Sequence, residues 1–148
     1  MRQIKLGSWT ILFDKSKTQK FYENDRLITE SCECDYCANY VLACENLPYE
    51  LKGLFLTFGI DPRKEGEISH YMENKDGTHF YGAFYHFVGK IIKSPKQWEA
   101  DSGVAYPIFT KDKGLEISFS EDLYLVPNGF PTPTVQLDIQ LNVPWLLS

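Results

Sequence analysis

The spacing of hydrophobic residues changes twice along this chain, and this change constrains the fold more than any other feature. Large apolar side chains occupy alternate positions in residues 9–13, recur at helical spacing across 37–58, and alternate again in 135–143. Alternation is typical of a strand with one buried face, whereas recurrence every three to four residues is typical of an amphipathic helix. The sequence therefore predicts β structure, then helices, then β structure.

Two consecutive helices are predicted near residues 36–46 and 48–58. Apolar side chains mark one face of the first helix at Cys37, Tyr40, Val41, Cys44 and Leu47. In the second helix, Pro48 suits the first helical position. Gly59 can adopt the left-handed conformation that ends a helix, and Pro62 prevents continuation. The two helices are expected to form a tight pair.

The rest of the sequence predicts strands. The first 30 residues predict a small antiparallel meander with polar turns. Residues 67–74 and 79–92 flank Asp76-Gly77, a dipeptide typical of a two-residue hairpin turn because both central residues need positive φ. Further strands are predicted at residues 115–119, 123–126 and 135–143.

These elements predict one α+β domain over residues 1–148, a mostly antiparallel sheet with the two consecutive helices packed on it. A chain of this length can bury its own core without help from a metal or a disulfide. Strands and helices do not alternate as a doubly wound α/β fold requires. No repeat or linker divides the sequence into two units.

Charge and hydropathy exclude two classes of partner. The net charge is −5 and no block of lysine and arginine stands out, so a surface that follows nucleic-acid phosphates is not expected. No window approaches the roughly eighteen apolar residues of a membrane span. The N-terminal residues lack the apolar segment of a signal peptide. We therefore expect a cytoplasmic protein that binds neither nucleic acid nor membrane.

All four cysteines, Cys32, Cys34, Cys37 and Cys44, lie within thirteen residues. Thiolates are ligands that Zn²⁺ prefers, and Cys-x-x-Cys spacing lets two sulfurs reach one ion. If a helix begins at Cys37, Cys44 lies roughly 10 Å further along its axis, too far for two sulfurs that must approach within about 4 Å on one zinc. The metal-ligand candidates are therefore Cys32, Cys34 and Cys37, with zinc as the candidate cofactor, and Cys44 is expected to be buried.

A fourth ligand would come from His70, His79, His86, Asp35 or water. With a two-residue turn, His70 and His79 would share a sheet face roughly 13 Å apart, and His86 would point to the other face. A histidine metal cluster is therefore not expected. Two alternatives stay open: thiols packed without any bound species, and thiol exchange, which a helix N-terminus favours but the acidic neighbours Glu33 and Asp35 oppose.

The aromatic run at residues 79–88 carries large rings on both faces. Such a strand is usually central and covered on both sides. The functional alternative is a pocket lined by His70, Tyr81, Tyr85 and His86, in which the glycine of the run lets a ligand approach. A histidine in such a pocket can act as a general acid or base.

Three segments together, Cys32-x-Cys-x-x-Cys-x-Asn39, residues 51–64 and residues 81–89, resemble small Gram-positive bacterial proteins of uncharacterised function. The resemblance spans most of the chain and implies a single domain. Such proteins are sometimes immunity or other partner-binding proteins, and a protein partner is expected by that analogy. It implies no activity and no residue roles.

Three functions follow as hypotheses. The first is a non-enzymatic protein-binding or immunity-like module, favoured by the negative charge, the aromatic content of 15% and the lack of an assembled catalytic motif. The second is a zinc-binding protein that uses Cys32, Cys34 and Cys37. The third is an enzyme with a histidine in an aromatic pocket.

Overall fold

The computed structural model describes residues 1–64, 66–94 and 115–147. Its strands and helices, in chain order, are β1 (Arg2–Leu6), β2 (Trp9–Phe13), α1 (Lys15–Glu23), α2 (Ile28–Ser31), α3 (Asp35–Ala43), α4 (Tyr49–Phe58), β3 (Glu67–Glu73), β4 (His79–Lys93), β5 (Glu116–Ser120) and β6 (Thr134–Val143). A 3-10 turn, Cys44–Asn46, extends α3. Every strand pairing in these ranges is antiparallel, which confirms the predicted α+β fold with its mostly antiparallel sheet.

Strand β4 is the centre of the sheet. The strands follow the order β1-β2-β4-β6-β5, and β3 pairs with β4 as well. The first part of β4, residues 79–84, pairs with β3, and its last part, residues 89–93, pairs with β2. Strand β6 pairs with β4 from His79 to Val88. One long strand thus connects all parts of the sheet.

Side chains of α1 take the place of a strand between β3 and β2. The Tyr22 hydroxyl donates to the His86 carbonyl at 2.8 Å and accepts from the His86 N–H at 3.3 Å. The Thr18 hydroxyl accepts from the Val88 N–H at 2.9 Å, and the Asp14 N–H donates to the Val88 carbonyl at 2.8 Å. Buried backbone groups must find such partners because leaving them unpaired is costly. These bonds fix α1 against the sheet.

The core lies between one face of the sheet and the helix pair α3–α4. Alternate residues of β4 point to the helices, as the period of a strand requires. The Phe58 ring stacks on Phe87 with centroids 4.1 Å apart, and Phe55 meets Tyr85 edge-on at 5.1 Å. The two predicted helices are thus confirmed, each within three residues of its predicted bounds.

Two strand predictions are wrong. Of the short strands expected in the N-terminal meander, only residues 9–13 form one, as β2; it pairs with β1, which was not predicted, and the helices α1 and α2 follow. The Asp14 carboxylate caps α1 by accepting from the Lys17 N–H at 3.1 Å, and the helical spacing of Thr18 and Tyr22 buries both against β4. Residues 123–126 form no strand, because Leu125 has a φ of 50° and cannot continue an extended chain.

The β3–β4 turn is longer than the predicted two-residue turn. The Asn74 N–H donates to the Thr78 carbonyl at 2.7 Å, and the Gly77 N–H donates to the Asn74 carbonyl at 3.1 Å. Gly77, with a φ of 86°, occupies the left-handed position of this three-residue loop. A bulge between His70 and Met72 shifts the register again. The pairing of β3 with β4 therefore differs from the predicted one.

We expect Tyr22→Phe to lower the free energy of unfolding by about 1–3 kcal/mol, because it removes the hydroxyl that bonds both backbone groups of His86. The matched control is Tyr49→Phe, since Tyr49 is 87% exposed and such a surface change alters stability by less than about 0.5 kcal/mol. Urea denaturation measures both variants. Equal stability of the two would contradict the role of α1 as a substitute strand.

Candidate metal centre

Three cysteine sulfurs converge between α2 and α3. The sulfurs of Cys32, Cys34 and Cys37 all lie within 4.8 Å of one another, and those of Cys32 and Cys34 are 3.1 Å apart. Cys34 is the N-cap of α3, and its sulfur accepts from the Cys37 N–H at 3.4 Å. Cys34 is exposed and Cys37 is buried, so the cluster extends from the protein surface into the interior.

The local backbone explains why the sulfurs meet. Cys32 and Cys34 both have extended backbone conformations, and in an extended chain residues two apart point to the same side. The helix then begins at Asp35. Because an N-cap side chain turns back over the first helical turn, it brings the Cys34 sulfur to Cys37.

Cys44 lies outside this cluster, as the helical spacing predicts. It follows the last residue of α3, it is buried, and its thiol donates to the Pro62 carbonyl at 3.7 Å. Burial raises the pKa of Cys44 to about 12. This cysteine is therefore a neutral core residue.

Two thiols of the cluster have pKa values that are shifted in opposite directions. The hydrogen bond between the Cys32 and Cys34 sulfurs, together with the N–H donor of Cys37, lowers the pKa of Cys34. Burial raises the pKa of Cys37 well above its ordinary value, and the two neighbouring thiols add to this. Glu33 and Asp35 were expected to oppose a lowered pKa, but at Cys34 the direct hydrogen bonds dominate and the pKa is lowered. Cys34 is the most readily ionised of the thiols whose pKa shifts.

Two histidines meet where the sequence predicted a wide separation. The His70 Nε2 and His79 Nδ1 atoms are 2.7 Å apart and share a hydrogen bond, so the predicted distance of roughly 13 Å is wrong. The longer turn and the bulge place His70 opposite Tyr81 rather than opposite Ala83. His86 points to the opposite sheet face, as expected, with its ring near Phe130. In the described part of the chain, the group of converging potential metal ligands contains cysteines only.

Aromatic rings adjoin the thiols and the histidine pair. The Tyr36 ring stacks on His70 with centroids 4.0 Å apart, and the Trp145 ring lies 4.5 Å from His79 and 6.0 Å from Tyr36. A cleft of about 490 Å³ opens here. We call it the aromatic cleft, and its lining residues are Cys34, Asp35, Tyr36, Glu73, Gly77, His79 and Trp145. Sequence reasoning missed Tyr36 and Trp145, because no local pattern indicates that the C-terminal segment reaches α3.

Asn39 attaches that segment to α3. Its side-chain amide donates to the Pro144 carbonyl at 3.1 Å and accepts from the Leu146 N–H at 2.6 Å. Asn39 is fully buried, so both bonds are formed away from water, where a missing partner is most costly. The residue between these two contacts is Trp145, whose ring is thereby held 4.5 Å from the His79 ring.

The four predicted pocket residues do not converge. Tyr81 and Tyr85 are fully buried beneath the helices, and the Tyr85 hydroxyl donates to the Pro62 carbonyl at 2.7 Å. His86 lies on the opposite face of the same strand, whereas His70 contacts Tyr81 edge-on with ring centroids 5.2 Å apart. Of the four, His70 comes nearest to a cleft, through its contacts with Tyr36 and His79.

Comparison of the chain with protein-family models, with curated proteins and with solved structures finds no match. The helices in the described ranges are all too short or too polar to cross a membrane.

Alkylation by iodoacetamide is expected to modify Cys34 before Cys37 and Cys44 in the native protein. The thiolate is the reactive form, and the lowered pKa of Cys34 means that its rate rises at a lower pH than that of an ordinary thiol. Burial keeps Cys37 and Cys44 protonated. Mass spectrometry of peptides from a pH series measures the order. In urea all four should react alike, and native Cys37 or Cys44 reacting as fast as Cys34 would contradict the site.

Asn39→Ala is expected to lower the free energy of unfolding by about 1–3 kcal/mol and to release the C-terminal segment, because two buried backbone groups lose their partner. Carboxypeptidase should then remove residues through Trp145 faster than in the wild type. The exposed Asn46 provides the matched control, Asn46→Ala. Wild-type resistance to digestion in Asn39→Ala would show that other contacts hold the segment.

Proposed function

We propose that this protein binds a metal ion that prefers thiolate ligands, such as zinc, through Cys32, Cys34 and Cys37. The convergence of three sulfurs within 4.8 Å carries the proposal. On a tetrahedral ion with bonds of about 2.3 Å, two sulfurs lie about 3.8 Å apart. The sulfurs therefore need only small side-chain adjustments to bind one ion.

The hydrogen bonds around the sulfurs support metal binding. The Cys37 N–H points at the Cys34 sulfur, and such donors stabilise a metal-bound thiolate. The buried Cys37 thiol resists ionisation by itself, but a bound cation would compensate the charge of its thiolate. A thiol-exchange function needs only two cysteines and leaves the third without a role, whereas a metal site uses all three sulfurs.

Three protein ligands leave one coordination position for a water molecule or another donor. Structural zinc sites usually have four protein ligands, whereas sites that react or exchange keep an open position. The sheet and helices also have a large apolar core of their own. We therefore propose an exchangeable metal site rather than one that holds the fold together.

The protein-binding or immunity-like function, the bacterial origin and the cytoplasmic location stay predictions. Metal binding is compatible with each of them. For the enzyme hypothesis, the hydrogen-bonded pair His70 and His79 replaces the predicted set of four pocket residues as the candidate acid and base.

Zinc titration with elemental analysis tests the proposal. We expect one zinc per chain, and each of Cys32→Ser, Cys34→Ser and Cys37→Ser should weaken binding at least about tenfold. The matched control is Cys44→Ala, which removes a cysteine outside the cluster and should leave the zinc affinity unchanged. Removal of zinc should leave the circular dichroism spectrum unchanged. Absence of zinc binding, or an equal loss in Cys44→Ala, would contradict the site.

A further inference from the structure

We propose that the aromatic cleft binds a small organic cation, specifically a primary alkylammonium group. This proposal does not rest on the metal site, although Cys34 belongs to both. It rests on the size of the cleft, on the charge of its lining and on the two aromatic rings at its wall.

The size of the cleft suits a small ligand. Its volume of about 490 Å³ falls within the range of about 300–1,000 Å³ that is typical of small-molecule sites. The first turn of α3, the β3–β4 hairpin and the C-terminal segment each supply part of the wall. Three separate elements thus build one concave surface.

The charges at the cleft are complementary to a cation. Asp35 and Glu73 both line it, and none of its lining residues in the described ranges is a lysine or an arginine. Lys75, in the adjoining turn, is outside the lining. The carboxylates of Asp35 and Glu73 therefore provide counter-ions for an ammonium group, with no lysine or arginine among the described lining residues to compete.

The rings of the cleft provide a second interaction with a cation. Tyr36 and Trp145 are inclined at 70° with centroids 6.0 Å apart, so they form a corner rather than a flat stack. A cation near the face of tryptophan or tyrosine is attracted by the ring quadrupole. Stacking on His70 fixes Tyr36, and the Asn39 contacts fix the segment of Trp145. A site whose walls are already ordered loses less entropy when it binds.

The histidine pair beneath the rings is compatible with a cationic ligand. His70 and His79 share one hydrogen bond, and burial together with the neighbouring His79 lowers the pKa of His70. The lowered pKa makes the His70 imidazole harder to protonate than an ordinary histidine. This ring therefore supports Tyr36 with less tendency to carry a positive charge that would repel the ligand.

An NMR titration of the ¹⁵N-labelled protein tests the proposal. The probes are n-butylammonium, as a free amine, and the blocked tripeptide Gly-Lys-Gly, as a protein side chain, with 1-butanol as the uncharged control. We expect saturable shifts of the Trp145 indole N–H and of Glu73 with a Kd of about 1 mM, on the scale of a ligand this small. Saturation by the amine alone identifies a free amine as the ligand, and tighter binding of the tripeptide identifies a lysine side chain. Both outcomes support the site.

Variants separate the two interactions. Glu73→Gln and Tyr36→Leu should each weaken n-butylammonium binding about three- to fivefold, because each removes one of the attractive groups. Glu116→Gln removes the same charge from the exposed face of β5 and should have no effect. Shifts that do not saturate, equal shifts with 1-butanol, or equal loss in Glu116→Gln would overturn the proposal.

The same titration in the presence of a chelator keeps this proposal separate from the metal site. We expect saturable ammonium binding without metal, because the rings and carboxylates do not depend on an ion. Ammonium binding with no zinc binding would support the cleft as a cation site and contradict the proposed metal centre. Ammonium binding only after zinc addition would overturn the cleft as an independent site.

Discussion

The position at which α3 begins determines the chemistry of this protein. Because the helix begins at Asp35, Cys34 becomes the N-cap and its sulfur turns back to the Cys37 N–H. The extended residues before it place Cys32 on the same side. Extension of the helix toward the N-terminus by one turn would put Cys32 and Cys34 two positions apart on a helix, where they face different sides, and their sulfurs would separate. The metal proposal and the low pKa of Cys34 both depend on this single boundary.

Two polar side chains join the helices to the sheet and thereby place the sites. The Tyr22 hydroxyl forms hydrogen bonds with backbone groups of β4 in the gap between β3 and β2. The Asn39 side chain forms hydrogen bonds with backbone groups of the C-terminal segment that follows β6. Because Asn39 and the cysteines belong to the same short stretch of chain, the contact that anchors Trp145 also places it in the lining of the same cleft as Cys34. The thiol cluster and the aromatic cleft are therefore neighbours for a structural reason.

The sequence predicts what depends on regular spacing. Helices α3 and α4, strand β6 and the isolation of Cys44 follow from periods of 3.6 and 2 residues, which the core enforces. The sequence does not predict α1, because the dipeptide Phe21-Tyr22 favours a strand by propensity and only the contacts with β4 decide otherwise. The meeting of His70 with His79 was also missed, since it depends on a loop one residue longer than expected and on a bulge. The place of Trp145 depends on a contact across more than 100 residues of chain, which no local pattern contains.

X-ray absorption spectroscopy of the zinc-loaded protein tests the central claim most directly, because it counts the sulfurs that bind the ion. We predict three sulfur ligands at about 2.3 Å and one nitrogen or oxygen ligand at about 2.0–2.2 Å. A fourth sulfur would mean that Cys44 leaves the core and that α3 is broken between Cys37 and Cys44. That result, or fewer than three sulfurs, would contradict this account.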